Sequence, residues 1–375
     1  MAGLPATKLA DMPSPDTIRR GQHVMAVCNA CRYCEGYCPV FPAMEKRLIF
    51  AKDDLAYLAN LCHNCGECLY ACQFAPPHEF GINVPRTLAE IRLASYEDYC
   101  WPRGMAAAFR HQAVKSAALT ALGLSAVLLA LTVVAGVDVW PAQPAGDFYQ
   151  VVPHGVMVAL FGLAGGFATV AVAIGCRRAS KSFRASGSSS TVDRPTRDWQ
   201  GLRDALTLRH LHGSGPDCTN SEEQRSPWRR WCHHLTMYGF GLCFASTSVA
   251  ALYHVVFGWR APYGYGSLPV VLGALGGVGL LAGPLGLFAL RRRRDPALSD
   301  PSQAGLDESF IFMLLMTSAT GLLLLAFRNQ SAMALLLIVH LGFVLGLFVT
   351  MPYGKFVHGL YRTAALLKYG SEARQ

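Results

Sequence analysis

Eight cysteines fall into two runs of one spacing, and that spacing leaves little freedom in what the chain around it can become. The first run is Cys28-x2-Cys31-x2-Cys34-x3-Cys38, followed by Pro39. The second is Cys62-x2-Cys65-x2-Cys68-x3-Cys72, starting 34 residues after the first. Bacterial ferredoxins hold two [4Fe–4S] clusters with this pattern: three close cysteines take three corners of a cube, and the fourth of each run crosses to the other cluster. The spacing predicts one cluster on Cys28, Cys31, Cys34 and Cys72, and a second on Cys62, Cys65, Cys68 and Cys38. A disulfide framework would require an oxidising compartment and belongs to small secreted domains. Zinc sites pair C-x2-C units over longer separations. One corner departs from the pattern, since Cys72 is followed by Gln73 and not by proline.

Beyond the cysteine runs the composition changes. Charged residues make up 15% of the 375-residue chain, against roughly 25% in a soluble domain. Residues 1–110 balance eleven Lys/Arg with eleven Asp/Glu, so the net charge of +9 arises entirely after residue 110. Six apolar stretches, at about 117–137, 152–175, 232–257, 268–290, 309–327 and 332–351, are each long enough to cross a bilayer as a helix. The expected fold is therefore mainly α. A ferredoxin-like helical domain with two clusters (1–110) precedes a six-helix transmembrane bundle, made of helices 1–2 (111–176) and 3–6 (231–360). A polar linker (177–230) separates the two helix groups, and a short tail (361–375) closes the chain. The Ser/Gly core of the linker, 186–190, reads as flexible.

The basic residues set the orientation. Segments 177–231, 291–294 and 352–375 hold nineteen Lys/Arg, whereas the opposite loops hold only Arg260 and Arg328. The positive-inside rule places the linker, both termini and the cysteine runs in the cytoplasm; the expected location is the inner membrane of a bacterium. No apolar h-region occurs in the first 27 residues, which reads as the absence of a secretory signal. A reducing cytoplasm suits thiolates. The basic surplus thus reports topology, not nucleic-acid binding. Cys100, Cys176, Cys218, Cys232 and Cys243 lack regular spacing and read as small apolar residues. Gly277-x-Gly279-x-x-Ala282 matches a dinucleotide fingerprint in form only, because no strand precedes it. Gly279-x3-Gly283 reads as a close helix-packing face, with Pro284 kinking the same helix.

No Asp or Glu falls inside the six stretches, which weighs against an ion-coupled transporter. Histidines are there instead. His254 and His340 lie within stretches, and His233, His234, His154 and His358 lie near their ends. Imidazole is an axial ligand of haem iron. An unbroken last helix would put His340 and His358 on one face about 27 Å apart. With the helices antiparallel, His254 then meets His340 in depth, and His358 meets His233 or His234. That arrangement predicts one or two b-type haems, with His154 the main competing ligand. His63 and His78 read as structural.

Several longer segments resemble a known family. Asn29-Ala30-Cys31-Arg32-Tyr33-Cys34-Glu35-Gly36, Leu61-Cys62-His63-Asn64-Cys65, Pro76-Pro77-His78-Glu79-Phe80 and Asn83-Val84-Pro85 in the first part are similar to the tricarballylate-utilisation protein B family, also called CitB-type. So are Trp231 to Thr236, Leu252-Tyr253-His254 and Pro352 to Tyr361 in the second. The resemblance covers nearly the whole chain, the linker least. It implies a membrane protein with two [4Fe–4S] clusters and haem that reoxidises the flavin of a partner dehydrogenase, one acting on tricarballylate. The expected function is electron transfer from that cytoplasmic flavoprotein to a membrane acceptor such as quinone. The alternatives are the same module serving a cobalamin-biosynthesis flavoprotein, or a membrane redox sensor without haem. No flavin or nicotinamide site is visible, so no substrate chemistry is expected of the chain itself.

Overall fold

The computed structural model describes residues 15–140, 147–186, 195–211, 227–298 and 300–372. Among them the chain is helical without strands. Five helices build the head: α1 (Pro15–Cys31), α2 (Val40–Glu45), α3 (Lys52–Leu61), α4 (Glu67–Tyr70) and α5 (Val84–Tyr99). Their apolar faces close on Met25, Phe41, Met44, Leu55, Leu58 and Leu88, all buried. Asn83 caps α5, its side chain accepting from the Arg86 N–H, with Pro85 in the first turn; both residues suit a helix start.

Helices α6 (Arg103–Val134), α8 (His154–Ala185), α10 (Trp228–Phe257), α11 (Leu268–Arg292), α12 (Pro301–Phe327) and α13 (Met333–Thr350) contain the six membrane candidates. A one-turn helix, α7 (Phe148–Val151), leads into α8. The spans are helical because a bilayer offers backbone groups no other partner. Their order places His154, Phe257, Phe327 and Met333 at one end, called here the far end, and Ala185, Trp228, Arg292 and Thr350 at the end nearer the head.

Helices α10 and α11 form the tightest pair. A methyl group on Gly276 would sit 2.8 Å from the backbone N of Cys243 and the O of Gly239, and one on Gly283 2.7 Å from the Cys232 carbonyl. The Gly279-x3-Gly283 face thus lies against α10, and Cys232 and Cys243 pack as small residues beneath it. Pro284 is accommodated inside α11 without ending it.

Two sequence expectations need correction. The last span does not continue to His358: α13 stops at Thr350, turns through Pro352 to Phe356, and a new helix, α14 (Val357–Glu372), begins. Proline lacks the N–H that a continuing helix needs, so His340 and His358 do not share one helical face. The linker is also more ordered than its composition suggests. Helix α8 runs on to Ala185, and α9 (Pro195–Leu206) lies on α14, with Gly201 against the Leu366 carbonyl. Positions 187–190 of the Ser/Gly core and Cys218 fall outside the described residues.

Helix α14 and the end of α8 complete the head core through Phe183, Tyr361, Ala365 and Leu366. Buried Arg47 ties the joint. Its guanidinium pairs with Asp54 at 3.0 Å and with Glu372 at 2.8 Å, and donates to the Ser186 hydroxyl at 2.9 Å. The head is thus built into the bundle and does not hang from it.

Candidate functional site

The two cysteine runs interleave. Left-handed residues occur inside three of the two-residue spacers, at Arg32, Asn64 and Gly66, and turn the chain so that neighbouring thiols face inward. A Cβ on Gly66 would also strike Leu298. The thiol of Cys28 lies among Cys31, Cys34 and Cys72. The thiols of Cys38 and Cys68 lie among Cys62 and Cys65. The fourth cysteine of each run therefore lies with the first three of the other run.

The two settings differ. Cys28, Cys31, Cys34 and Cys72 line a cavity of about 260 Å³ with Tyr33 and Phe74 on its wall, whereas the space among Cys38, Cys62, Cys65 and Cys68 is about 20 Å³. No three His, Cys, Asp or Glu among the described residues converge tightly enough for a single ion. Thiols spread round a cavity suit a four-iron cube, in which each sulfur takes a different corner. Burial, then the neighbouring thiols, push Cys28 up to about 12. Cys38 and Cys68 are raised by the same two causes. Thiols crowded in this way ionise only beside a compensating cationic centre, so the donor set fits such clusters.

Behind the second set stands a belt of arginines that the sequence offered only as topology signals. Arg229 donates to the carbonyls of His63 at 2.8 Å and Asn64 at 3.2 Å. Arg362 donates to the Cys62 carbonyl at 3.0 Å. Arg294 reaches the Asn64 carbonyl as well. His63 is buried, and burial together with Arg362 holds its pKa well below the usual imidazole range. Its ring faces His210 of the linker, 5.9 Å away. His78 packs between Phe74 and Phe80. These two placements are those of structural histidines.

At the head end of the bundle, His233 and His358 lie within electrostatic reach of each other. The Nδ1 of His233 bonds the Arg229 carbonyl at 2.8 Å, and that of His358 bonds the Lys355 carbonyl. A carbonyl only accepts, so Nδ1 carries the proton and Nε2 keeps its lone pair. Metal-binding imidazoles are oriented in this manner. Burial, with Arg362 and Lys355 beside it, pushes His358 down to about 3, so it is neutral. Imidazoles presented with a free Nε2 in this way are of the donor type that haem iron takes. His234 turns elsewhere and stacks on Tyr238, with ring centroids 5.6 Å apart.

The far end is arranged otherwise. His254 stacks on His154, with centroids 3.9 Å apart and planes 30° apart, and Tyr149 lies against both. The Nδ1 of His254 is buried without a partner. His340 lies seven residues into α13, about 10 Å from its start, where its Nδ1 meets the Thr320 hydroxyl at 3.1 Å and its ring covers Gly321. That hydroxyl donates to the Met316 carbonyl, so it accepts from His340 and leaves Nε2 unprotonated. His254 is brought to His154, while His340 is held by α12. Stacked as they stand, His154 and His254 leave no space for a metal between them.

The family described as "Citrate utilization protein B" matches residues 106–375, and its Fer4-like domain matches residues 21–98. A curated relative from Escherichia coli, "Citrate utilization protein B", is 47% identical over 355 residues, which is 94% of this chain and 92% of that one. No solved structure matches.

Proposed function

The chain belongs to the citrate utilization protein B family, and we propose that it carries electrons from a reduced flavoprotein dehydrogenase, through its head, to a membrane acceptor such as quinone. The Fer4-like domain and the six apolar helices give an iron–sulfur electron-transfer role in a membrane. The finer reading assigns one [4Fe–4S] cluster to each four-cysteine set and a b-type haem to His233 and His358, in a bacterial inner membrane with the head in the cytoplasm. Bound there, these groups would supply one-electron carriers, which divide the two-electron output of a reduced flavin. The partner's substrate is read as a tricarboxylate of the tricarballylate or citrate type.

The observation that carries this reading is a double link. Arg229 and Arg362 each hold the Cys62–Cys65 loop by a carbonyl, and each lies one helical turn from an imidazole of the His233–His358 pair. Arg229 links the two by hydrogen bonds at both ends, its side chain on the loop and its carbonyl on His233 Nδ1, while Arg362 ties the loop to the helical turn that carries His358. Burial and hydrogen bonding of this kind are the means by which a protein tunes such groups.

The test is an optical and EPR spectrum of the detergent-purified full-length protein, followed by reoxidation with a soluble quinone analogue. The expected result is a b-type Soret and α band, two interacting [4Fe–4S] signals, and reoxidation of all of them by the analogue. Folded, cluster-loaded protein without a haem band would overturn the membrane route.

A further inference from the structure

The two cysteine sets differ in the charge placed around them, and the difference is supplied by the membrane half of the chain. Arg229 starts α10, Arg294 lies in the turn after α11, and Arg362 lies in α14; all three reach the Cys62–Cys65 loop through its carbonyls. Each also interacts through space with Cys62, and Arg229 and Arg294 with Cys65 as well. Glu67 opposes Arg229 at Cys65. Around the other set the influences are thiols and backbone N–H groups. Cys28 is affected by Cys72, Cys34 and Cys31. Cys72 is affected by Cys31 and by the backbone N–H groups of Phe74 and Ala75. Nearby Glu35 and Glu45 are answered by Arg32.

Three half-buried guanidinium groups repel one another and are costly to hold together. Arg362 is lowered to about 10 by burial and by Arg92, and the thiol of Cys62 acts to raise it again. It remains charged at neutral pH. Such a cluster of cations is stabilised when the group they surround gains negative charge, and that is what one-electron reduction adds.

We propose that Arg229, Arg294 and Arg362 make the Cys38–Cys62–Cys65–Cys68 site the higher-potential of the two, so that it takes electrons from the Cys28–Cys31–Cys34–Cys72 site. This rests on the reading that each set holds a cluster. With clusters bound at both sets, the step would be a single electron transfer: the Cys28 site would lose one electron, the Cys62 site would gain one, and no proton or bond would change hands. The roomier Cys28 site, walled by Tyr33 and Phe74 with Tyr33 exposed, receives electrons from the flavoprotein. The enclosed site beside His233 and His358 delivers them. Direction is therefore written into the charges that the membrane helices bring to one cysteine loop.

The experiment is a potentiometric EPR titration of the full-length protein, comparing the parent with Arg362→Gln, Arg294→Gln and Arg362→Lys. In Arg362→Gln the higher-potential cluster signal should fall by about 59 mV, a tenfold weaker one-electron reduction, while the lower-potential signal stays. Arg294→Gln should move the same signal in the same direction, and Arg362→Lys should keep most of the parent potential. The proposal is overturned if the lower-potential signal moves, if both move equally, or if neither moves. If Arg362→Gln does not assemble, Arg294→Gln decides, because that side chain holds only one carbonyl. Failure of the underlying reading looks different: the parent itself would then show fewer than two cluster signals.

Discussion

The two ends of the bundle both gather imidazoles, and they hold them by different means. At the head end, each ring of the His233–His358 pair is anchored through Nδ1 to a carbonyl one turn away, and the arginines that grip the Cys62–Cys65 loop flank both rings. At the far end, His154 and His254 rest on each other, and the Nδ1 of His254 has no partner. A ring with a fixed tautomer and orientation is prepared to bind a metal; a ring held by stacking is not. Proximity of histidines is therefore a weaker signal than the bond made by the nitrogen that does not face the ligand.

The largest effect expected from this contrast is spectroscopic. His233→Ala and His358→Ala should each abolish a b-type band in the dithionite-reduced spectrum and leave the EPR signals of the clusters in place. His154→Ala should leave that band intact. The contrast is inverted if His154→Ala removes it while His358→Ala does not. His340→Ala is a sharper probe of the middle of the bundle. The Thr320 hydroxyl orients that ring as the carbonyls orient the inner pair, so loss of a second band there would add a site fed from α12 and α13.

A second contrast lies within the head end, between a buried and an exposed ion pair. At the head end Arg47 is 3% exposed and joins the head to α14 through Asp54 and Glu372, with Ser186 of α8 as a third partner. Removing one member of a buried pair strands the others, at a cost of about 3–5 kcal/mol. Arg47→Ala should lower the stability of the purified protein by that order, read from denaturant unfolding in detergent. Exposed Lys52–Asp98, at 2.7 Å with 45% of the lysine side chain accessible, serves as the control, since a surface pair contributes at most about 1 kcal/mol. Equal losses from Arg47→Ala and Lys52→Ala would show that the joint is not held by this knot.

How much of this the sequence carried depends on the distance along the chain. The two cysteine sets were legible because their spacing is local and admits few wirings. The spans were legible because a bilayer demands continuous apolar helix. The loss of helical continuity between His340 and His358 had a local signal in Pro352, yet a proline in a membrane helix can also be absorbed, as Pro284 is in α11. The arginine contacts had no local signal. Arg229 and His63 are 166 residues apart, and Arg362 and Cys62 are 300 apart. In the sequence these arginines register only as positive charge beside a span. The packing of α9 on α14 was hidden for a related reason: a polar, Arg-rich stretch reads as linker until a partner helix for its apolar face is known.

The smallest expected effect lies at the far end and tests whether charge there plays any comparable role. Arg328 is buried. It donates to the Tyr263 carbonyl at 2.5 Å and lies 3.7 Å over the ring of Tyr265, which is itself 56% exposed. A cation over a partly exposed ring contributes about 0.5–1 kcal/mol. Tyr265→Leu should therefore cost about that much, and Tyr265→Phe, which keeps the aromatic face, close to nothing, in the denaturant assay used for Arg47. Neither should move any cluster or haem potential, because Arg328 bonds a far-end loop and lies at the opposite end of α12 from the cysteine sites. A potential shift in Tyr265→Leu would mean that the two ends are coupled electrostatically, and that the arginines around the Cys62–Cys65 loop do not act alone in setting the direction of electron flow.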